Sequence, residues 1–145
     1  MAAKFDPKQV SVLLNGYEIS DWADGSDVIG YKAVTDAGAF TMGANGTGVF
    51  VVNPDKSHVL TLKIKQHSPD NKHLSDLFRQ QREQIKGFAP FTLEIRDLLN
   101  EDVATGTGGF FTTPTEFTRG AGHNAHTWTI VFEVGDIKQE KGWGN

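Results

Sequence analysis

The chain has 145 residues, of which 38% are hydrophobic and 22% charged, with ten Phe: the profile of one folded domain rather than of a disordered segment. It contains no Cys, which excludes disulfides, Cys-ligated zinc, iron–sulfur clusters and thiol nucleophiles and leaves packing or assembly to supply stability. Eighteen acidic against fourteen basic residues give a formal charge of −4, which argues against a surface built to grip a phosphate backbone. Sixteen glycines exceed the usual share of about 7% and announce many turns or mobile loops. No apolar run approaches the ~20 residues a membrane span needs, and Met1 to Pro7 lacks a signal-peptide core, so a soluble chain released in the cytoplasm is expected.

In chain order, the β-prone run Val10 to Leu14, the turn Asn15-Gly16 and Tyr17 to Ile19 predict an opening hairpin. Asp24-Gly25-Ser26 marks a second turn, and Asp27 to Val34 resumes strand character. Ala37 to Gly48 holds four glycines around Phe40 and Met42 and reads as a long hairpin with Asn45-Gly46 at its tip. Val49 to Asn53 and His58 to Gln66 read as two strands joined by a turn over Pro54 to Ser57; in the second, Leu60, Leu62 and Ile64 alternate with more polar positions.

A helix is expected from Ser68, which can cap the first-turn amides, with Pro69 in the first helical position and Asp70 at the positive end of the dipole. Leu74, Leu77, Phe78 and Ile85 fall at helical spacing, and Gly87 is placed to end the helix as a left-handed cap. The helix should cover one end or face of a sheet. Phe91, Leu93 and Ile95 mark a further strand. Asn100 to Gly109 reads as a polar loop, followed by Phe110 to Thr113 and a second loop through Gly122. In the last strand His126, Trp128, Ile130, Phe132 and Val134 share one face, and the partly apolar opposite face predicts cover on both sides. Seven to nine antiparallel strands with one helix predict a mainly β fold, a small barrel or sandwich.

No constellation in the chain carries catalysis. His123 and His126 stand three apart, but the alternation that follows puts His126 on a strand, where the pair does not converge on a metal. The runs from Gly43 to Gly48 and from Thr105 to Gly109 lack the Gly-Lys-Ser/Thr ending of a phosphate loop and do not open a helix. No Gly-x-Ser-x-Gly elbow is present, and the acidic residues do not cluster. No enzyme, cofactor or metal is therefore expected. What the core pattern leaves over is apolar material on loops: Phe5, Phe40, Met42, Phe110, Phe111 and Trp143, which jointly favour self-association.

The order of features resembles the tail tube proteins of contractile-tailed bacteriophages. The resemblance runs from Phe5-Asp6-Pro7 through Asn15-Gly16, Ile19, Ala23-Asp24-Gly25 and Gly43-Ala44-Asn45-Gly46. It continues over Thr61-Leu62-x-Ile64-x-Gln66-x-Ser68, Asn71, Leu74, Phe91 and Asp97 to the aromatic strand around Trp128. Order and spacing carry it, since each motif alone is a turn or a strand. Phe110-Phe111-Thr112-Thr113-Pro114 stands where such proteins often have a Trp-Ile pair before a Pro.

The resemblance implies an antiparallel β-barrel or sandwich with a flanking helix, one tail tube domain over residues 1–145, with an N-terminal arm 1–9, a long hairpin 37–48 and a C-terminal tail 136–145. It implies hexameric rings stacked into a hollow virion tail tube that passes double-stranded DNA without gripping it, assembled in the host cytoplasm. The implied partners are the chain itself, the tail sheath, baseplate, tail terminator and tape measure proteins, with no membrane anchor. Candidate inter-subunit residues are Phe5, Asp6, Pro7, Phe40, Met42, Asn45, Phe50, Phe110, Phe111 and Trp143. A type VI secretion-like tube, a baseplate tube initiator, and a small β-barrel ligand-binding module or enzyme are the alternatives.

Overall fold

A computed structural model describes residues 10–20, 22–23, 28–97, 102–117, 120, 122 and 124–139. Among these residues nine strands and one α-helix follow one another as β1 (Val10–Leu14), β2 (Tyr17–Ile19), β3 (Ile29–Ala33), β4 (Gly38–Met42), β5 (Gly48–Val52), β6 (His58–Ile64), α1 (Pro69–Glu83), β7 (Phe91–Asp97), β8 (Asp102–Thr113) and β9 (His126–Lys138). Seven strands form one antiparallel sheet in the order β2-β1-β7-β8-β9-β6-β3; β4 and β5 pair only with each other. The large sheet curls into a half-barrel, in keeping with a tail tube type of fold.

The β1–β2 hairpin forms because Asn15 (φ 53) and Gly16 (φ 80) supply the two left-handed residues of a tight turn whose twist matches the strands. Helix α1 starts as its sequence dictates: the Ser68 hydroxyl accepts from the Asp70 N–H at 3.1 Å, and Pro69 occupies the first turn. Its end differs from expectation. Gln84 (φ −133) closes the helix by donating its N–H to Gln80, and a 3-10 turn over Ile85–Gly87 follows. Gly87 is not left-handed, and Ile85 lies exposed rather than on the apolar stripe. The tighter turn delivers Phe88 to the core edge, its ring 5.3 Å from that of Phe91.

The core lies between the curled face of the sheet and α1. Val12, Leu14, Ile19, Leu60, Leu62, Ile64, Leu74, Phe91, Leu93, Phe111, Trp128, Ile130 and Phe132 are buried there. Side-chain amides fasten the helix across strands. Asn71 accepts from Trp128 Nε1 at 3.0 Å and donates to the Lys65 carbonyl at 2.8 Å. Asp70, itself buried, accepts from the Tyr17 hydroxyl at 2.7 Å and from the Ser20 N–H at 3.2 Å, tying the helix N-terminus to the first hairpin.

Several expectations are corrected. The segment read as a polar loop from Asn100 to Gly109 is the first part of β8 from Asp102 onward, paired on both sides; residues 98–101 lie outside the described set. Its small residues belong to a strand whose covering side chains come from elsewhere. A Cβ on Gly106 would stand 2.6 Å from the Tyr31 hydroxyl, and one on Gly109 would run into the Phe132 ring. The Pro54–Ser57 segment does not turn β5 back onto β6. It joins two sheets, since β5 pairs with β4 and β6 with β3 and β9.

Val134 is exposed, not on the core face. Burial in β9 runs through Trp128, Ile130 and Phe132, then changes phase to Gly135, where β8 carries Gly108 at φ 67 against Glu133. Nor is β9 covered on both faces: Thr127 is exposed, Thr129 and Val131 are half-buried, and among the described residues no helix or second sheet packs on that side. The strand also continues through Asp136, Ile137 and Lys138, positions taken as the start of a tail.

Candidate assembly interface

From Ala37 to Asn53 the chain contains no Asp, Glu, Lys or Arg. This stretch forms the β4–β5 hairpin, closed by a loop in which Gly43 N–H reaches Thr47 O at 2.8 Å and Asn45 Oδ1 accepts from the Thr47 N–H at 3.2 Å. Gly46 (φ 83) takes the left-handed position at the tip.

Register fixes what the two sides of this ribbon present. Phe40 is opposite Phe50, Met42 opposite Gly48 and Gly38 opposite Val52, so one side carries two aromatic rings, a thioether and a valine. The rings pack at 5.2 Å, and Met42 folds over Gly48, where a Cβ would meet its Sδ at 2.8 Å. The other side pairs Ala39 with Val51 and Thr41 with Val49 and is flat and β-branched. Phe40 is 73% exposed, Met42 62%, Phe50 52% and Val51 54%, so both sides stand in solvent. Soluble monomers rarely keep so continuous an apolar surface uncovered.

A second uncovered surface lies on the face of the large sheet away from the helix. There Phe110, Val131 and Val59 form a row across β8, β9 and β6, beside Thr113, Thr129 and Thr61. This face also carries charges: Glu133 on β9 beside Gly108, Glu94 paired with Arg96 and Lys138 on one side, and Lys32 and Lys63 on the other. Among the described residues the sheet ends in two edge strands, β2 and β3, each bonded along one side only.

Of the residues proposed from sequence, Phe40, Met42, Asn45 and Phe50 come together on the hairpin. Phe110 is half-buried on the uncovered sheet face. Phe111 lies in the core, its ring 5.1 Å from Phe91, 5.5 Å from Phe78 and 5.8 Å from Trp128, and is satisfied within the chain. Phe5, Asp6, Pro7 and Trp143 lie outside the described residues. Sequence reasoning missed Val49, Val51 and Val52 as surface residues; the unbroken absence of charge from Ala37 to Asn53 was the signal that held them.

Two ionisable groups near the hairpin base are perturbed. Burial, reinforced by the Asp136 carboxylate, pushes the Tyr31 phenol up to about 12. The Ser57 N–H and hydroxyl, then the Thr35 hydroxyl, hold the Asp55 carboxyl below the usual carboxylate range. Among the described residues no group of three or more His, Asp or Glu converges on a metal position, and no helix is long and apolar enough to cross a membrane.

A curled antiparallel sheet with one flanking helix is consistent with the tail tube type of fold. Residues 10–142 match the family described as bacteriophage PhiTE tail tube protein, and the chain belongs to that family. It is thus a structural component of a phage tail, a class that assembles with itself and with other tail parts. The fold is also that of a prophage structure solved by cryo-EM, the anti-feeding prophage cap (AFP tube terminating cap), with a TM-score of 0.56 and 10% identity over 94% of this chain and 92% of that one. At such identity the likeness is one of fold alone. No curated protein sequence gives a significant match.

Proposed function

We propose that the chain forms hexameric rings that stack into the hollow tube of a contractile phage tail and let double-stranded DNA pass. The observation that carries this reading is the two-sided apolar hairpin: a ribbon exposed on both faces and free of charge over its whole length is stable in water only when neighbours cover it. A second copy is its natural cover, because family membership already implies self-assembly. Edge strands β2 and β3 find partners in the same event.

In this reading Phe40, Met42, Asn45 and Phe50 bridge to the next ring, Phe110 meets a neighbour across the sheet face, and Phe5, Asp6, Pro7 and Trp143 add contacts through the termini. Sheath, baseplate, terminator and tape measure proteins are the partners, assembly takes place in the bacterial cytoplasm, and the charge of −4 keeps DNA from adhering to the lumen. No step of this function is catalytic. Purified protein examined by negative-stain microscopy is expected to show sixfold rings or tubes with a central channel. A chain that stays monomeric at high concentration, even when seeded with tail tubes, would overturn the proposal.

A further inference from the structure

The hairpin leaves the large sheet through a gap in the hydrogen-bond ladder. Pairing of β3 with β6 ends at Ala33 and His58, after which the Val34 N–H donates to Ser57 O at 3.0 Å. Pairing resumes where the Asn53 N–H donates to Ala37 O at 2.9 Å, and continues into β4–β5. Thr35 and Asp36 lie in the gap on one side, and Pro54, Asp55 and Lys56 on the other. Pro54 has no N–H to offer, so the backbone alone cannot close it.

Side chains close it instead. Asn53 Nδ2 donates to Thr35 Oγ1 at 3.1 Å and to the Asp36 carbonyl at 3.0 Å. The Thr35 hydroxyl donates to Asp55 Oδ2 at 3.1 Å, and Asp55 Oδ1 accepts from the Ser57 N–H at 2.9 Å. Asn53 Oδ1 accepts from the Asp55 N–H at 3.0 Å, which holds the turn after β5 in shape. The Lys56 carbonyl accepts from the Gly135 N–H at 2.9 Å and pins this junction to β9.

Packing does little of this work. Clefts of about 690 Å³ and 660 Å³ border the junction, the first against Thr35 and Val52, the second against His58 and Asp136. Among the described residues, strands β4 and β5 pack substantially only on each other. An apolar arm attached through two short connections and flanked by open clefts would swing unless something fixed its angle.

We propose that Asn53, Thr35 and Asp55 form a rigid neck that sets the direction of the β4–β5 hairpin in the isolated subunit, before any neighbour binds. Its consequence for assembly rests on the tail-tube reading: a pre-aimed arm loses less freedom on docking. The neck itself is a property of the monomer and is tested there.

The cysteine-free chain permits paired spin labels at Ala44→Cys on the hairpin loop and Gln80→Cys on α1, read as a distance distribution in dilute full-length protein. The parent is expected to give one narrow distance. The pair Thr35→Val with Asn53→Ala should broaden it roughly twofold or more, while Thr35→Ser, which keeps the hydroxyl, should leave it narrow. Far-ultraviolet circular dichroism and Trp128 fluorescence check that the large sheet persists. Should the double variant unfold, Asn53→Asp alone, which removes the donor to Thr35, must broaden the distance. A parent as broad as the variants, or variants as narrow as the parent, overturns the neck. Tube formation is scored separately by microscopy, so failure of the tube reading leaves this result interpretable.

Discussion

Gln81 completes both backbone hydrogen bonds of Phe111: its Nε2 donates to the Phe111 carbonyl and its Oε1 accepts from the Phe111 N–H, each at 2.8 Å. Strand β7 begins its pairing with β8 at Phe91 opposite Gly109, so beyond that point β8 has lost its neighbour on this side. A helix amide takes the place of the missing strand, just where the β8–β9 register slips between Phe111 and Thr113. Gln81→Ala leaves two part-buried backbone groups without partners and should cost about 1–3 kcal/mol. Urea denaturation of the two proteins measures it, and an unchanged midpoint would show that water replaces the amide at no cost.

Asp70 joins α1 to the first hairpin through the Tyr17 hydroxyl and the Ser20 N–H. Asp70→Ala should destabilise the protein by about 1–3 kcal/mol through the groups left unpaired. The loosening should be local. Amide exchange is expected to accelerate at Glu18 and Ile19, in the three-residue edge strand β2, more than in β6 or β9. Uniform acceleration through the sheet would contradict a local tie.

Gly109 lies beneath the Phe132 ring, with no room for a Cβ. Gly109→Ala should cost about 1–3 kcal/mol by overpacking. Combining it with Phe132→Leu should cost less than the sum of the two single changes, because the smaller side chain vacates the space the methyl needs. Strict additivity in a double-mutant cycle would refute the steric account.

Tyr31 hydrogen-bonds the Thr105 carbonyl at 2.8 Å, and its phenol ionises near 12 against an ordinary 10. The folded state therefore holds this proton more tightly than the unfolded chain. The contribution is whole below pH 10 and is lost as pH rises from 10 to about 12. Ultraviolet titration of a Tyr17→Phe variant should show the remaining phenol ionising late, and Asp136→Asn should move it earlier. A Tyr31 midpoint at 10 in the folded protein would contradict the burial argument.

Deleting Thr41 to Thr47 removes the tip of the hairpin with the exposed Met42 and should leave the core intact while abolishing ring stacking. Phe40→Ser with Phe50→Ser is the milder counterpart and should reduce polymerisation about tenfold or more at unchanged melting temperature. Sedimentation and microscopy provide the readout. Normal tubes from either variant would remove the hairpin from the interface.

Much of the fold was legible because each element carried its own pattern. Ser68, Pro69 and Asp70 marked a helix start, and Leu60, Leu62 and Ile64, like Trp128, Ile130 and Phe132, alternated on residues belonging to their own strands. Strand β8 was illegible for the opposite reason: Gly106 and Gly109 are covered by rings from Tyr31 and Phe132, which no reading along β8 can see. The end of α1 was misjudged because Gly87 has the right residue type for a left-handed cap but sits one turn late, as the last residue of the 3-10 segment that positions Phe88. On the interface side, Phe40 and Met42 stood out as isolated apolar residues, whereas Phe111 resembled them in sequence and proved to be core. The neck was invisible, since it exists only when residues 34–37 and 53–57 lie side by side.

The chain enters β6 directly from the hairpin, and β6 is bonded along both flanks, to β3 and to β9. A pull along β6 loads the seven paired positions from His58 to Ile64 against β9 together, in shear. A sideways push meets only the few bonds of the neck, one after another. The hairpin is therefore anchored more firmly against a pull along β6 than against a load across it, where the neck alone resists.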